Sequence, residues 1–234
     1  MKKISILVLM VFGYFSSASA IEGVNFGVSL TAGGFEVDGA KEEFKGAHAG
    51  VGSPGDVSKS NATEGDEAEG LFAIGSVFVE YEINDQLAFG IDYVPHSMES
   101  ETAEKTKADI TTSTTSADRT NSVQVDFEDL TTIYATLSTP EMNGVYLKAG
   151  YMQVDVITNE KLNTGGAYAD TDLDGYTLAL GYHRDVNEGM FVRLEASYME
   201  LDGATLTNSN DSTKSVTADG ITGYGAKVSI GKSF

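Results

Sequence analysis

Few residues in this sequence have the chemistry of a catalytic site. There are three histidines, His48, His96 and His183, and no cysteine. Only His96 has an adjacent candidate nucleophile, Ser97. A histidine base must reach its serine within about 3 Å, and neighbouring residues of an extended strand point to opposite faces. We therefore predict no catalytic residues in this chain.

One run of aspartates has the spacing of a metal-binding loop. Segment 170–175 reads DTDLDG and matches D-x-D-x-D-G, the first half of a calcium loop. Position twelve of such a loop is a bidentate glutamate, but here it is Gly181. Asp170, Asp172 and Asp174 are thus a weak candidate for Ca²⁺ or Mg²⁺, and the alternative is an acidic strand entrance that faces water. The sequence predicts no other metal and no cofactor.

The charge balance excludes one large class of partner. The chain has 15 basic and 35 acidic residues, a net charge of -20. Such a chain repels the phosphate backbone, so nucleic acid is not an expected partner. The absence of cysteine removes disulfides and thiolate metal sites. The 26 glycines and 3 prolines suit crowded barrel strands better than helices.

Apolar residues alternate with period two along most of the chain, which predicts strands. The connections are short at 84–85, 139–143 and 185–188. They are long and polar at 38–70, 98–121, 158–171 and 203–218, and we expect 38–70, 98–121 and 203–218 to be disordered. This alternation is typical of an all-β fold, an eight-stranded antiparallel up-and-down barrel. The predicted strands are 22–37, 71–83, 86–97, 122–138, 144–157, 172–184, 189–202 and 219–234.

The two strand faces distinguish a transmembrane barrel from a soluble one. One face is apolar, with tyrosine and phenylalanine near the strand ends, as two membrane interfaces require. The other face is mostly glycine, alanine, serine and threonine, which fit a narrow lumen. A soluble barrel would need many charged residues on that face instead. We therefore predict a transmembrane β-barrel.

Six charged residues interrupt the small-residue face near one level. Three acids and three bases inside a barrel too narrow for bulk water must pair to offset their desolvation. We predict a neutral network that plugs the lumen, with a gate as the alternative reading. These residues are Glu80, Asp92, Lys148, Arg193, Glu195 and Lys227.

Both ends of the chain carry targeting features. Lys2 and Lys3 precede an apolar run that is shorter than the roughly 20 residues of a membrane span. Small residues follow up to Ala20, which predicts a cleaved signal peptide at 1–20 and a barrel domain at 21–234. The last strand alternates strictly, and its apolar face is predicted to be an assembly signal. The residues of this signal are Tyr224, Val228, Ile230 and Phe234.

With this signal peptide, eight strands, short and long connections and terminal aromatic residue, the chain resembles the small OmpA-like and opacity-type outer-membrane β-barrel proteins of bacteria. The resemblance implies a location in the bacterial outer membrane. It implies outer-membrane lipids and lipopolysaccharide as partners, and the outer-membrane assembly machinery during biogenesis. It indicates no ligand for the external loops.

The leading hypothesis is a non-enzymatic outer-membrane protein with a plugged lumen, acidic external loops and a structural or surface-interaction role. The alternative is a porin-like channel, which requires a connected polar path. A minor alternative is a lipid-modifying enzyme, because the pair His96-Ser97 resembles the lipid A deacylases of the PagL type. Those enzymes carry the two residues two positions apart on one strand face, so the alternative requires a Ser–His–acid set converging at one rim.

Overall fold

The computed structural model describes residues 22–37, 40–44, 56–57, 68–110, 116–139, 141, 143–163, 166–210, 212 and 214–234. The predicted signal peptide and His48 lie outside these ranges. Among the described residues, no helix is long and apolar enough to cross a membrane. The strands are β1 (Val24–Val37), β2 (Ala40–Phe44), β3 (Asp56–Val57), β4 (Ala68–Asn84), β5 (Leu87–Tyr93), β6 (Met98–Glu99), β7 (Ala103–Ile110), β8 (Ser116–Ser138), β9 (Val145–Leu162), β10 (Thr171–Asn187), β11 (Met190–Leu201), β12 (Ala204–Thr207), β13 (Lys214–Ala218) and β14 (Ile221–Ser233).

Eight long strands close into an antiparallel barrel in the order β1, β4, β5, β8, β9, β10, β11, β14. β14 pairs back with β1 to complete the ring. At this seam the N–H of Gly23 donates to the carbonyl of Phe234 at 2.7 Å, and the N–H of Phe234 donates to Val24 at 3.0 Å. Each of the eight strands therefore pairs with a neighbour on both sides, over all or part of its length. The predicted eight-stranded up-and-down fold is confirmed.

Several strands continue beyond the barrel on the side of the long connections. β7 pairs with residues 116–123 of β8, and β12, β13 and β2 form a separate three-stranded sheet. Segments 98–121 and 203–218 therefore contain strands where the sequence predicted disorder. Polar segments without a core can still satisfy their backbone groups by pairing with each other. Cross-strand side chains add to this pairing, as between the hydroxyls of Thr106 and Thr120 at 2.9 Å.

β5 ends at Tyr93, four residues earlier than predicted. The N–H of Val94 still donates to the carbonyl of Leu130 on β8, at 2.9 Å. The next N–H along an extended chain would face the opposite neighbour, β4, but this residue is Pro95 and has no N–H to give. As a result, residues 68–76 of β4 have no strand partner on this side within the described part of the chain.

The outward face of the barrel is apolar. Leu30 on β1 is 61% exposed and Leu180 on β10 is 55% exposed. A continuous belt of such side chains would be costly in water and is stable in lipid. Exposed tyrosines border this belt at the two ends of the strands, as interfacial aromatic residues do. They are Tyr151, Tyr176 and Tyr224 at one end and Tyr81 and Tyr182 at the other.

The interior has two unlike halves. The half nearer the short turns is polar and aromatic. The half nearer the long connections holds a cluster of buried apolar side chains, including Ile74, Met152 and Val154. Leu173 and Leu201 belong to the same cluster. The charged residues lie on the turn side of this apolar cluster.

Candidate functional site

The six charged residues predicted for the lumen occupy inward positions and lie together inside the barrel. All are less than 9% exposed except Lys227, whose side chain is 16% exposed. They form three ion pairs, and we call them the ion-pair layer. They are Glu80 on β4, Asp92 on β5, Lys148 on β9, Arg193 and Glu195 on β11, and Lys227 on β14.

The strongest of the three pairs joins Arg193 and Glu80. The guanidinium donates from Nη2 to Oε1 at 2.6 Å and from Nη1 to Oε2 at 2.8 Å. The same carboxylate accepts from Asn25 Nδ2 at 3.2 Å and from the Tyr134 hydroxyl at 3.1 Å. Bidentate, charge-assisted pairs are among the strongest hydrogen bonds in proteins. Four donors on one carboxylate offset much of the free energy lost when it leaves water.

The other two pairs complete the ion-pair layer. Lys148 Nζ lies 3.4 Å from both carboxylate oxygens of Glu195, which also accepts from the Tyr146 hydroxyl at 2.7 Å. Lys227 Nζ donates to Asp92 Oδ2 at 2.7 Å. Three acids and three bases give the layer no formal net charge. Its charges therefore compensate one another locally.

Four aromatic rings fill the lumen around this layer, and each packs on a glycine of the neighbouring strand. The directly opposite pairs are Phe78 with Gly27, Tyr134 with Gly90, Tyr146 with Gly181, and Phe191 with Gly231. A Cβ at these glycines would lie between 2.2 and 2.6 Å from a ring atom. Only glycine therefore lets each ring lie across the strand. The Phe191 ring in turn has its centroid 4.7 Å from the Arg193 guanidinium carbon.

The sequence analysis missed these rings and the neutral donors Asn25, Tyr134 and Tyr146. It also missed His183, whose Nδ1 accepts from Arg193 Nε at 3.0 Å. The available signal was the set of glycines at inward positions. A glycine beside a large inward aromatic residue becomes recognisable only when the register between the strands is known.

The ion-pair layer separates two cavities. The cavity on the turn side has a volume of about 260 Å³ and is lined by polar groups that include Glu80, His183 and Arg193. The outer cavity has a volume of about 320 Å³ and its walls are mostly apolar. The space between them, beside Lys148 and Lys227, is only about 50 Å³.

His96 and Ser97 both line the outer cavity, together with Glu99. They share this rim because β5 ends before them, so the strand alternation that would separate them does not apply. All three side chains are exposed. Within the described part of the chain, no hydrogen bond joins His96 to Ser97 or Glu99. The arrangement thus brings together the residue types of a hydrolytic site without the contact between base and nucleophile.

The aspartates of the candidate calcium loop lie along the start of β10. Asp172 and Asp174 both point outward, on either side of the buried Leu173. These two residues are alternate residues of one strand, with backbones about 7 Å apart. Asp170 instead accepts the N–H of Thr158 at 2.9 Å. In the residues that the structure describes, no three acidic or histidine side chains form a metal-binding group.

The residues of the predicted assembly signal share the outward face of the last strand and its end. Tyr224, Val228, Ile230 and Phe234 are each between 37% and 64% exposed. The ring of Phe234 stacks on Phe26 of β1, with centroids 5.4 Å apart. The terminal aromatic residue therefore contacts both strands of the closing seam.

A closed barrel of eight antiparallel strands, with an apolar exterior between aromatic belts and an ion-paired interior, is a transmembrane barrel. The chain is an integral β-barrel protein of the bacterial outer membrane.

No family model matches the sequence, and no curated protein matches it. Among solved structures, the chain is similar to the outer membrane protease OmpT from Escherichia coli, with 9% identity, 94% of this chain and 99% of that chain covered, and a TM-score of 0.41. It is similar to the Neisserial surface protein A, with 13% identity, 91% and 100% covered, and a TM-score of 0.40. It is also similar to the outer membrane protein OprG from Pseudomonas aeruginosa, with 10% identity, 92% and 98% covered, and a TM-score of 0.40.

Proposed function

We propose that this protein is a non-enzymatic outer-membrane barrel that is closed to water-soluble solutes and has a structural role at the cell surface. The observation that carries the proposal is the ion-pair layer. The Glu80–Arg193 pair and its neighbours span the lumen, and aromatic rings fill the space around them. A hydrated ion would have to separate pairs that are held at low dielectric, which is costly.

The competing function is a porin-like channel. It requires a connected polar path, whereas the apolar cluster around Ile74, Met152 and Val154 lies above the ion pairs. An apolar segment in the path is a barrier to ions even if the pairs open. We therefore rank the closed barrel above the channel.

Planar-bilayer recording of the refolded protein tests the proposal. We expect no defined conductance steps from the wild type. Arg193→Ala is expected to lower stability or raise current noise, while Arg184→Ala, in an exposed position on the neighbouring strand β10 at the same end of the barrel, is the matched control. Long-lived open steps from the unmutated barrel would replace the closed-barrel proposal with the channel.

Lipopolysaccharide is the proposed surface partner, through divalent cations. The external strands carry many carboxylates, and the phosphates of the outer leaflet are also anionic. Hard cations prefer oxygen ligands and can bridge both. Millimolar Ca²⁺ or Mg²⁺ is expected to raise the thermal stability of the barrel in lipopolysaccharide-containing vesicles more than NaCl at matched ionic strength. Equal effects of the two salts would contradict the bridging.

A further inference from the structure

The outer cavity of the barrel opens sideways through the wall, toward the lipid. Its lining includes Phe72 and Ile74, which point inward from β4. It also includes Leu71 and Ala73 of the same strand, which point outward and are exposed. The cavity therefore touches both faces of this stretch of β4. This stretch, 68–76, pairs with β1 on one side but has no partner strand on the β5 side among the described residues, so the wall is open at that edge.

Pro95 explains why this edge is open. Continuing the register beyond Val77 and Tyr93 would place Pro95 opposite Gly75. Proline cannot supply the ladder hydrogen bond that β4 would accept there. The chain after Tyr93 follows β8 instead, where the N–H of Ser100 donates to Val125 at 2.8 Å. His96 then lies beside Gly75 at the edge of the opening.

The opening lies at the depth of the membrane. Leu71 is in register with Gly34, which is in register with the interfacial Tyr224. Ala73 and Gly75 follow toward the turn side, into the apolar belt. Leu71 itself is 90% exposed, so its side chain projects into the surroundings of the barrel. The mouth of the cavity therefore extends from the level of the interfacial tyrosine into the outer part of the apolar belt, next to the surface that contacts lipid.

The interior of the cavity matches hydrocarbon in chemistry and size. Its deep wall is formed by Met152, Val154 and Met199, and unbranched thioether side chains adapt to irregular apolar guests. The floor is closed, because Ile74, Met152 and Met199 also cover the small space above the ion-pair layer. A volume of about 320 Å³ falls within the range of sites for small molecules.

We propose that the outer half of the barrel binds a single linear hydrocarbon chain, which reaches the cavity from the outer leaflet between β4 and the segment after Tyr93. The ion-pair layer and the four aromatic rings around it can close the lumen without this site. Two sources supply the same chemistry, namely the acyl chain of a membrane lipid and a free hydrocarbon dissolved in the bilayer. The floor of ion pairs keeps the chain in the outer half.

A tryptophan reporter tests the site, because the chain contains no tryptophan. Phe72→Trp places the reporter in the cavity, and Ile133→Trp places a control reporter on the lipid-facing side, where Ile133 is 56% exposed. The full barrel is reconstituted in phosphatidylcholine vesicles. In one arm bromododecane is titrated and then displaced with unbrominated dodecane. In the other arm the phospholipid itself carries brominated acyl chains.

Bromododecane is expected to quench the fluorescence of the Phe72→Trp reporter saturably, and dodecane is expected to reverse this quenching. The fluorescence of the Ile133→Trp control should fall linearly with bromododecane and should not recover when dodecane is added. Strong quenching in the brominated-lipid arm identifies the acyl chain of a lipid as an occupant, and quenching confined to the first arm identifies free hydrocarbon. A cavity reporter that shows neither saturable quenching by bromododecane nor quenching by the brominated lipid overturns the proposal.

The lateral route is tested with two blocking changes in the reporter background. Pro95→Val restores the missing donor opposite β4, with Pro140→Val as its control. Ala73→Phe fills the mouth from the exposed side, with Ala226→Phe, an exposed alanine of β14, as its control. We expect each blocking change to abolish the saturable component and each control to retain it. If Pro95→Val does not fold, Ala73→Phe alone decides. Saturable quenching that survives a folded, blocked barrel overturns lateral access.

Discussion

Removing the Arg193 guanidinium is expected to destabilise the barrel strongly, because it leaves Glu80 as an unpaired buried charge. The glutamate is only 2% exposed, so water cannot replace the lost partner. Asn25 and Tyr134 remain as neutral donors at 3.2 and 3.1 Å. Two unit charges about 4 Å apart attract by roughly 4 kcal/mol at an effective dielectric constant near 20. Removing one partner of a buried ion pair costs about 3–5 kcal/mol of folding free energy, which agrees with this Coulomb attraction.

A double-mutant cycle separates the charge from the packing. Arg193→Met retains much of the side-chain volume beside Phe191 and should lose about 3–5 kcal/mol of unfolding free energy. Glu80→Gln in that background removes the stranded charge and should recover part of the loss, giving a coupling energy of about 2–3 kcal/mol. Arg184→Met, on an exposed part of the same barrel end, is the control and should stay within about 0.5 kcal/mol of the wild type.

Denaturant unfolding in lipid vesicles, followed by far-ultraviolet circular dichroism, measures each free energy. Heat-modifiable mobility on gels reports in parallel whether the barrel has inserted. The reasoning would be refuted if Arg193→Met cost less than about 1 kcal/mol, or if the two substitutions were additive within about 0.5 kcal/mol. Either result would mean that the ion pair contributes no net stability beyond its hydrophobic neighbours.

Three further outcomes are expected. Deletion of Phe234 should reduce the inserted, heat-modifiable fraction by removing the ring from the closing seam, with secretion unchanged; normal insertion would contradict this. Gly181→Ala should destabilise the barrel by roughly 1–3 kcal/mol in denaturant unfolding, because its Cβ meets a ring at 2.2 Å, whereas Gly34→Ala, with no contact under 3.5 Å, should be tolerated. Burial and a neighbouring carboxylate raise the pKa of Asp155, which lies beyond the loop-side tyrosines. The folded state therefore binds this proton more tightly than the unfolded state and loses stability as pH rises from about 4. Asp155→Asn should raise the melting temperature at neutral pH but not near pH 3. The control Asp85→Asn should leave the melting temperature unchanged at both pH values.

The sequence by itself determined that the chain forms a barrel, and it determined which face of each strand points outward to lipid and which points into the lumen. A period of two allows only one apolar face per strand, and the small residues opposite could fill only a narrow lumen. Alternating connection lengths then separated the turn end from the outer end. The six interior charges were predictable on the same grounds, since a charge at an inward position must meet a partner.

Only the tertiary structure decided which charges pair and what surrounds them. Cross-strand register brings Tyr146 over Gly181, and no local pattern in either strand specifies that register. The pairing of Glu80 with Arg193 likewise crosses the lumen between strands that are distant in the ring. The end of β5 was misjudged because the predicted strand continued through Pro95 to residue 97, although Pro95 has no N–H for the ladder. A single missing donor is invisible to periodicity but opens the wall of a closed barrel, because every strand in that wall depends on hydrogen bonds from both neighbours.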